Sequence, residues 1–277
     1  MDKDALHAWT EALAAWAPAA QLPDELRPEA FGLHPPAAPV PQLPWGSAAA
    51  PLLRASRALA PYLEHTLLRP DALSAEVRRL GEEARAHRLA AACAHAVHTP
   101  ALRAVLEGTD VLVVAVVGFP HGAQRSDVKA LEAKRAVEDG ARELDVVAAL
   151  GALRGAEVEA ALADVVAVVE AAHPFPVKLI LETGLLDKRA VVLGAGLALV
   201  AGCGWVKTST GTGPPGARVE DVALLRSVVG GHLGVKASGG IRTAGQARAL
   251  VLAGASRLGT SSSLSLLAEE HGHVVHF

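Results

Sequence analysis

A closed (β/α)8 barrel of the α/β class, a TIM barrel with an N-terminal helical and proline-rich extension, is the fold this sequence predicts. Three observations predict it. From Pro61 onward, short segments rich in β-branched and apolar residues alternate with longer stretches of helical period. There are eight such segments in about 215 residues. Polar residues of distinctive chemistry cluster at the segments' C-terminal ends, where a parallel barrel gathers its reactive groups. An open doubly wound sheet is the alternative, although such sheets more often stop at five to seven strands.

The elements follow in order. Leu6, Trp9, Leu13 and Trp16 recur at steps of three and four, which predicts one apolar face on a short helix. From Pro18 to Pro51 prolines crowd a stretch without apolar period, so it reads as an extended tether. Residues 1–58 are therefore taken as an extension and residues 59–277 as the barrel. The extension holds Trp9, Trp16 and Trp45, three of the four tryptophans, and so much apolar area is expected to dock on the barrel or on a second subunit. Strands are expected at 62–65, 90–94, 111–118, 143–147, 177–182, 205–208, 233–237 and 257–259. Alanine-, leucine- and charge-rich helices are expected between them, among others at 126–140, 158–172, 219–229 and 244–253.

Composition removes several classes of function. A chain of 277 residues, 51% hydrophobic, is long enough for one large domain. Its formal charge of -3 gives no basic footprint, so neither nucleic acid nor an anionic membrane is an expected partner. The uncharged, largely apolar run 193–206 is interrupted by four glycines and falls short of the ~18 residues a membrane span needs. Residues 1–16 mix Asp2, Lys3, Asp4 and Glu11 with alanines and do not read as a signal peptide. Cys93 and Cys203, both in apolar stretches, fit a reducing compartment, and a cytoplasmic location is expected.

The residues at the strand ends are Glu64, Cys93, Asp145, Glu182, Lys207, Lys236 and the serine run 261–263. The chain has seven lysines against nineteen arginines, yet Lys207 and Lys236 each end a short apolar run on adjacent strands. An amine can lose its proton where a guanidinium cannot. Two ammonium groups on strands about 5 Å apart would repel, and one must yield its proton. Lowering an amine pKa from about 10.4 to between 7 and 8 raises its free-base fraction by roughly three orders of magnitude, enough to attack a carbonyl and form a Schiff base. The bland reading of a single such lysine is snorkelling or a structural ion pair. Asp145 interrupts an apolar strand and, being costly to bury alone, needs Lys207 or Lys236 as a partner, with proton relay as a possible second duty. Ser238-Gly239-Gly240-Ile241-Arg242 and Gly259-Thr260-Ser261-Ser262-Ser263 follow the last two strands and lead into helices, as phosphate-holding loops of barrels do.

These residues resemble the deoxyribose-phosphate aldolase family of class I aldolases over roughly residues 60–268. The resemblance is carried by Glu64-His65-Thr66-Leu67-Leu68-Arg69-Pro70, Gly118-Phe119-Pro120-His121-Gly122, Glu143-Leu144-Asp145-Val146-Val147, Leu181-Glu182-Thr183-Gly184, Lys207-Thr208-Ser209-Thr210-Gly211, Lys236-Ala237-Ser238-Gly239-Gly240-Ile241-Arg242 and Gly259-Thr260-Ser261-Ser262. It implies reversible cleavage of 2-deoxy-D-ribose 5-phosphate to acetaldehyde and D-glyceraldehyde 3-phosphate. It also implies Lys207 as the Schiff-base lysine, Lys236 as the group that lowers its pKa, and Asp145 in the proton relay. Gly211, Gly239, Gly240, Ser261 and Ser262 would hold the phosphate, with Thr210 and Ser238 beside them and Glu64 and Cys93 at the pocket. Breakage is expected at the C3–C4 bond, leaving an enamine on Lys207.

No cofactor is expected beyond the lysine imine. His95 and His98, and His271, His273 and His276, lack a carboxylate or cysteine at ligand spacing, so no metal is expected either. Cys93 reads more readily as a small core residue than as a catalytic thiol. The expected partners are a phosphorylated sugar and an aldehyde, and a homo-oligomer, with a dimer favoured. Another Schiff-base barrel aldolase of different substrate, or a sugar-phosphate-binding barrel without catalysis, are the rival readings. The sequence departs from the family pattern at Glu64, where aspartate is usual, at Ala94-His95-Ala96, where an Asn-Pro or Tyr-Pro step is often found, and at Thr212, where a bulkier residue is common.

Overall fold

The computed structural model describes residues 58–213 and 215–270. The expected N-terminal helix, the tether, and His271, His273 and His276 lie outside the described residues. A 3-10 turn, Ala60–Tyr62, leads into β1 (Leu63–Leu67), followed by β2 (Ala91–His95), β3 (Leu112–Val117), β4 (Glu143–Val147), β5 (Val177–Ile180), β6 (Trp205–Lys207), β7 (Gly234–Ser238) and β8 (Arg257–Thr260). Each strand pairs in parallel with the next, and β8 pairs with β1 to close the barrel. Helices α1 (Ser74–Ala86), α2 (Thr99–Leu106), α3 (Ser126–Glu138), α4 (Leu150–Arg154), α5 (Val158–Ala172), α6 (Lys188–Val200), α7 (Val219–Val229), α8 (Ala244–Leu252) and α9 (Ser263–Glu270) connect them.

The periodic apolar pattern sets the helices at 158–172 and 219–229 to the residue. The strand ends shift from the expected bounds by small amounts. β1 runs on to Leu67 because Thr66 and Leu67 pair with Cys93 and Ala94, a ladder that polarity along the sequence does not show. The glycine-interrupted run at 193–206 divides into the end of α6 and the start of β6. Asp187 starts α6 by accepting the Ala190 N–H at 2.8 Å, and Gly194 fits because a Cβ there would lie 2.6 Å from Leu181.

Alternation along each strand sends every second side chain into the barrel. On β4, Leu144 and Val146 join the apolar layer under the helices, while Glu143 and Asp145 point inward to ion pairs. The barrel interior is thereby divided. Ala91, Cys93, Val114 and Val116 form a small apolar cluster on β2 and β3, and charged residues fill the side formed by β4 to β8 and β1.

Candidate active site

The charged interior is built from seven side chains. Lys207 Nζ lies 2.7 Å from Asp145 Oδ2, and Lys236 Nζ donates to the same oxygen and to Glu64 Oε1. Lys178 Nζ lies 2.7 Å from Glu143, 3.0 Å from Asp145 Oδ1 and 3.5 Å from Glu64. Arg257 bridges Glu143 at 3.1 Å and Glu64 at 3.3 Å, and its guanidinium packs over the Trp205 ring at 5.0 Å. Glu64 therefore reaches the lysines and Arg257 together, a span that suits its extra methylene.

The register explains these contacts. Lys207 stands directly across from Lys236, and Asp145 directly across from Lys178, so parallel pairing places like and unlike charges side by side. Gly259 on β8 leaves the space that Lys236 crosses, since a Cβ there would lie 2.9 Å from its Cε.

Four cations face three carboxylates, one positive charge in excess. A buried excess charge is costly, so one amine is favoured in its neutral form. Lys178 touches three carboxylates and Lys236 two, while Lys207 touches Asp145. Burial, followed by the Lys236 ammonium, lowers the Lys207 pKa against the opposing pull of Asp145. Burial presses Lys236 the same way, but Asp145 and Glu64 raise it above the ordinary lysine value. For Lys178 the carboxylates of Asp145, Glu143 and Glu64 likewise overcome burial. Burial would raise the Asp145 carboxyl, but the three lysines hold it well below the usual carboxylate range.

Of the three lysines, Lys207 also lines a cavity of about 550 Å3 above the cluster. Thr210, Gly211, Ser238, Gly239, Gly240, Ser261 and Ser262 line it too, so every residue expected at the phosphate is brought to one place. Thr66, Arg69 and Arg242 also line it. Gly239 has φ +91°, and a Cβ on it would lie 3.0 Å from Gly216 Cα and 3.1 Å from Gly211 Cα, so three backbones meet at this end of the cavity.

Several expected contacts are partly committed elsewhere. The Ser238 hydroxyl donates to the Ser209 carbonyl at 2.6 Å, and Thr210 Oγ1 lies 2.9 Å from Thr212 Oγ1. The Ser262 N–H is accepted by Thr260 Oγ1 at 2.9 Å. Glu182, held at φ +47°, accepts the Thr210 N–H at 3.0 Å and so ties the loop after β6 to the end of β5.

Glu64 and Cys93 sit in and beside the charged cluster rather than in the cavity wall. Cys93 is fully buried, and burial pushes its thiol up, which keeps it protonated. Glu64, Cys93 and Asp145 offer ligand atoms within 4.8 Å of one another. Both carboxylates are already bonded to ammonium groups and the sulfur keeps its proton, so this donor set is poorly suited to a metal. His95 bonds the Leu68 carbonyl at 3.1 Å and meets Phe119 edge-on.

Sequence reasoning missed Lys178, Glu143 and Arg257 as parts of the site. The signal was phase: in Val177-Lys178-Leu179 a lysine stands between apolar neighbours in the same alternation as Asp145 on the strand before.

Residues 64–266 match the family described as DeoC/LacD family aldolase. The chain is similar to the deoxyribose-phosphate aldolase of Clostridium novyi, with 45% identity over 207 residues that cover 74% of this chain and 93% of that protein. It is similarly close to the deoxyribose-phosphate aldolase of Deinococcus radiodurans, with 46% identity over 210 residues that cover 76% and 96%. Among solved structures it resembles a tetrameric deoxyribose phosphate aldolase from Aeropyrum pernix, with a TM-score of 0.72 and 37% identity over 78% of this chain and 92% of the other.

Proposed function

The chain belongs to the DeoC/LacD family of aldolases, and we propose that it cleaves 2-deoxy-D-ribose 5-phosphate reversibly to acetaldehyde and D-glyceraldehyde 3-phosphate through an imine on Lys207. One observation carries the assignment of the lysine. Lys207 is at once the cluster amine with a lowered pKa and the one that lines the cavity.

The proposed steps are those open to an amine that forms an imine with an aldehyde. The neutral Lys207 amine adds to the substrate's C1 aldehyde and, as water leaves, becomes an iminium. Asp145, bonded to both Lys207 and Lys236, is placed to relay to the leaving hydroxyl the proton that the nitrogen gives up during that dehydration. The break falls at C2–C3 and not at the C3–C4 bond expected from the sequence reading, because only the electron pair next to the imine carbon can flow into it. The C3 hydroxyl gives up its proton as C3 becomes the aldehyde of glyceraldehyde 3-phosphate. The two remaining carbons stay on Lys207 as an enamine, which takes a proton at C2 and is hydrolysed to acetaldehyde. The iminium is the electron sink, so this reading calls for no metal or other cofactor.

The phosphate is assigned to the far end of the cavity. Gly211, Gly239 and Gly240 permit close backbone approach there, Ser261 and Ser262 precede the N-terminus of α9, and Arg242 stands at the wall. The reading is tested by incubating the protein with acetaldehyde, reducing with borohydride and mapping the adduct by mass. A two-carbon adduct on Lys207 is expected. Trapping on Lys178, Lys236 or another lysine overturns the assignment.

A further inference from the structure

The strand alternation that turns Glu64 and Thr66 toward the barrel turns His65 outward, into the helix layer. There its ring joins two elements. His65 Nε2 lies 2.9 Å from Glu83 Oε2 on α1, and Nδ1 lies 3.1 Å from the Oγ of Ser263, the first residue of α9. A carboxylate can only accept, so Nε2 carries the hydrogen, and in the neutral ring Nδ1 is then left to accept the Ser263 hydroxyl proton. The weaker alternative for that hydroxyl is the Thr260 carbonyl, 3.4 Å away. His65 and Ser263 are buried, and Glu83 is steadied by Arg79 at 3.6 Å.

The loop that these contacts hold is the one assigned to the phosphate. At its start Thr260 Oγ1 donates to the Ile241 carbonyl at 2.8 Å, and at its end Ser263 is held by His65. Ser261 and Ser262 lie between the two anchors and line the cavity. We propose that His65, oriented by Glu83, is a positioning residue for the phosphate loop: through the Ser263 hydroxyl it sets the first turn of α9 and so the aim of Ser261 and Ser262. This rests on the reading of the cavity's far end as the phosphate site. His65 touches neither substrate nor Lys207, and its influence is expected on binding of the anion alone.

The test is steady-state kinetics of the full-length protein on 2-deoxyribose 5-phosphate and on unphosphorylated 2-deoxyribose. Ser263→Ala and His65→Leu should each raise KM for the phosphorylated sugar about tenfold, a loss of about 1.4 kcal/mol, with kcat nearly unchanged. On 2-deoxyribose, kcat/KM should stay within about threefold. The double variant should be no worse than either single one, since both remove the same bond. His65→Asn places an amide oxygen where Nδ1 stands and should restore KM. If His65→Leu does not fold, Glu83→Ala and Ser263→Ala carry the test, with the same expected rise in KM. An unchanged KM in Ser263→Ala, equal losses on both sugars, or additive effects overturn the inference alone. A wild-type protein that fails to cleave 2-deoxyribose 5-phosphate overturns the reaction and the inference together.

Discussion

Lys207 gains its reactivity from its neighbours, and each neighbour can be removed separately. Lys207→Arg keeps charge and approximate length but cannot form an imine, so cleavage should fall by more than about a thousandfold, or about 4 kcal/mol in barrier. Circular dichroism should show the fold unchanged. Substantial residual turnover would refute the assignment. Lys236→Leu removes the like charge facing Lys207. The free base is the reactive form, so activity rises with pH through the Lys207 pKa. Raising that pKa moves the acidic limb of the rate profile to higher pH and lowers activity at neutrality. A profile that does not move, at full rate, would make Lys236 structural. Lys207, Lys236 and Asp145 were legible in the sequence because each breaks an apolar run beside glycine or hydroxyl residues, or alone within a strand. Lys178 was not, because a lysine early in a short strand reads equally well as an end that snorkels. The order of causes was also hidden. Burial lowers the Lys207 pKa more than Lys236 does, and burial depends on barrel closure rather than on any local motif.

At the scale of elements, the cluster ties strands together across the barrel as well as along its wall. Glu143 on β4 joins Lys178 on β5 and Arg257 on β8. Burial alone would raise its carboxyl, but Arg257 and Lys178 hold it at about 2. A carboxyl depressed on folding contributes stability that is full above its unfolded value, near 4.3, and is lost as pH falls through the folded value. Glu64 and Asp145 are depressed as well, so all three carboxylates should take up protons on acid unfolding. Denaturant melts between pH 5 and pH 2 should show stability falling steeply, with Glu143 supplying on the order of 3 kcal/mol. Glu143→Gln should flatten that slope by about one proton. A slope identical to the wild type would mean that Glu143 titrates alike in both states. Strand and helix order followed directly from periodicity, and the helices at 158–172 and 219–229 matched in both ends. α6 was harder to read, because Gly194 and Gly196 lower helix propensity and their reason, close approach to Leu181 in the case of Gly194, is tertiary.

On the scale of the whole molecule, α6 departs from the usual barrel helix. Every residue from Ala190 to Val200 is buried, although barrel helices ordinarily leave one face wet. α5 and α7 pack against it, with β6 and α4 also in contact. Helical geometry puts Leu193, Gly196 and Val200 on the side opposite Ala195 and Ala198, and Leu193 and Val200 are only 5% and 7% exposed. The segment before residue 58, which carries the apolar stripe of Leu6, Trp9, Leu13 and Trp16 in the sequence, lies outside the described residues. The charged cluster, the cavity and both loop anchors all lie within residues 64–263. Cutting the chain before Ala58 keeps Leu59, whose N–H binds the Glu270 carboxylate at the barrel's entry. We propose that the extension serves stability or assembly and not chemistry, so this truncation should lower the melting temperature or change the assembly state in light scattering. Turnover per folded site should change by less than about tenfold, or about 1.4 kcal/mol. A truncated protein with wild-type melting and assembly but turnover reduced a thousandfold would show instead that the segment reaches the cavity and closes it.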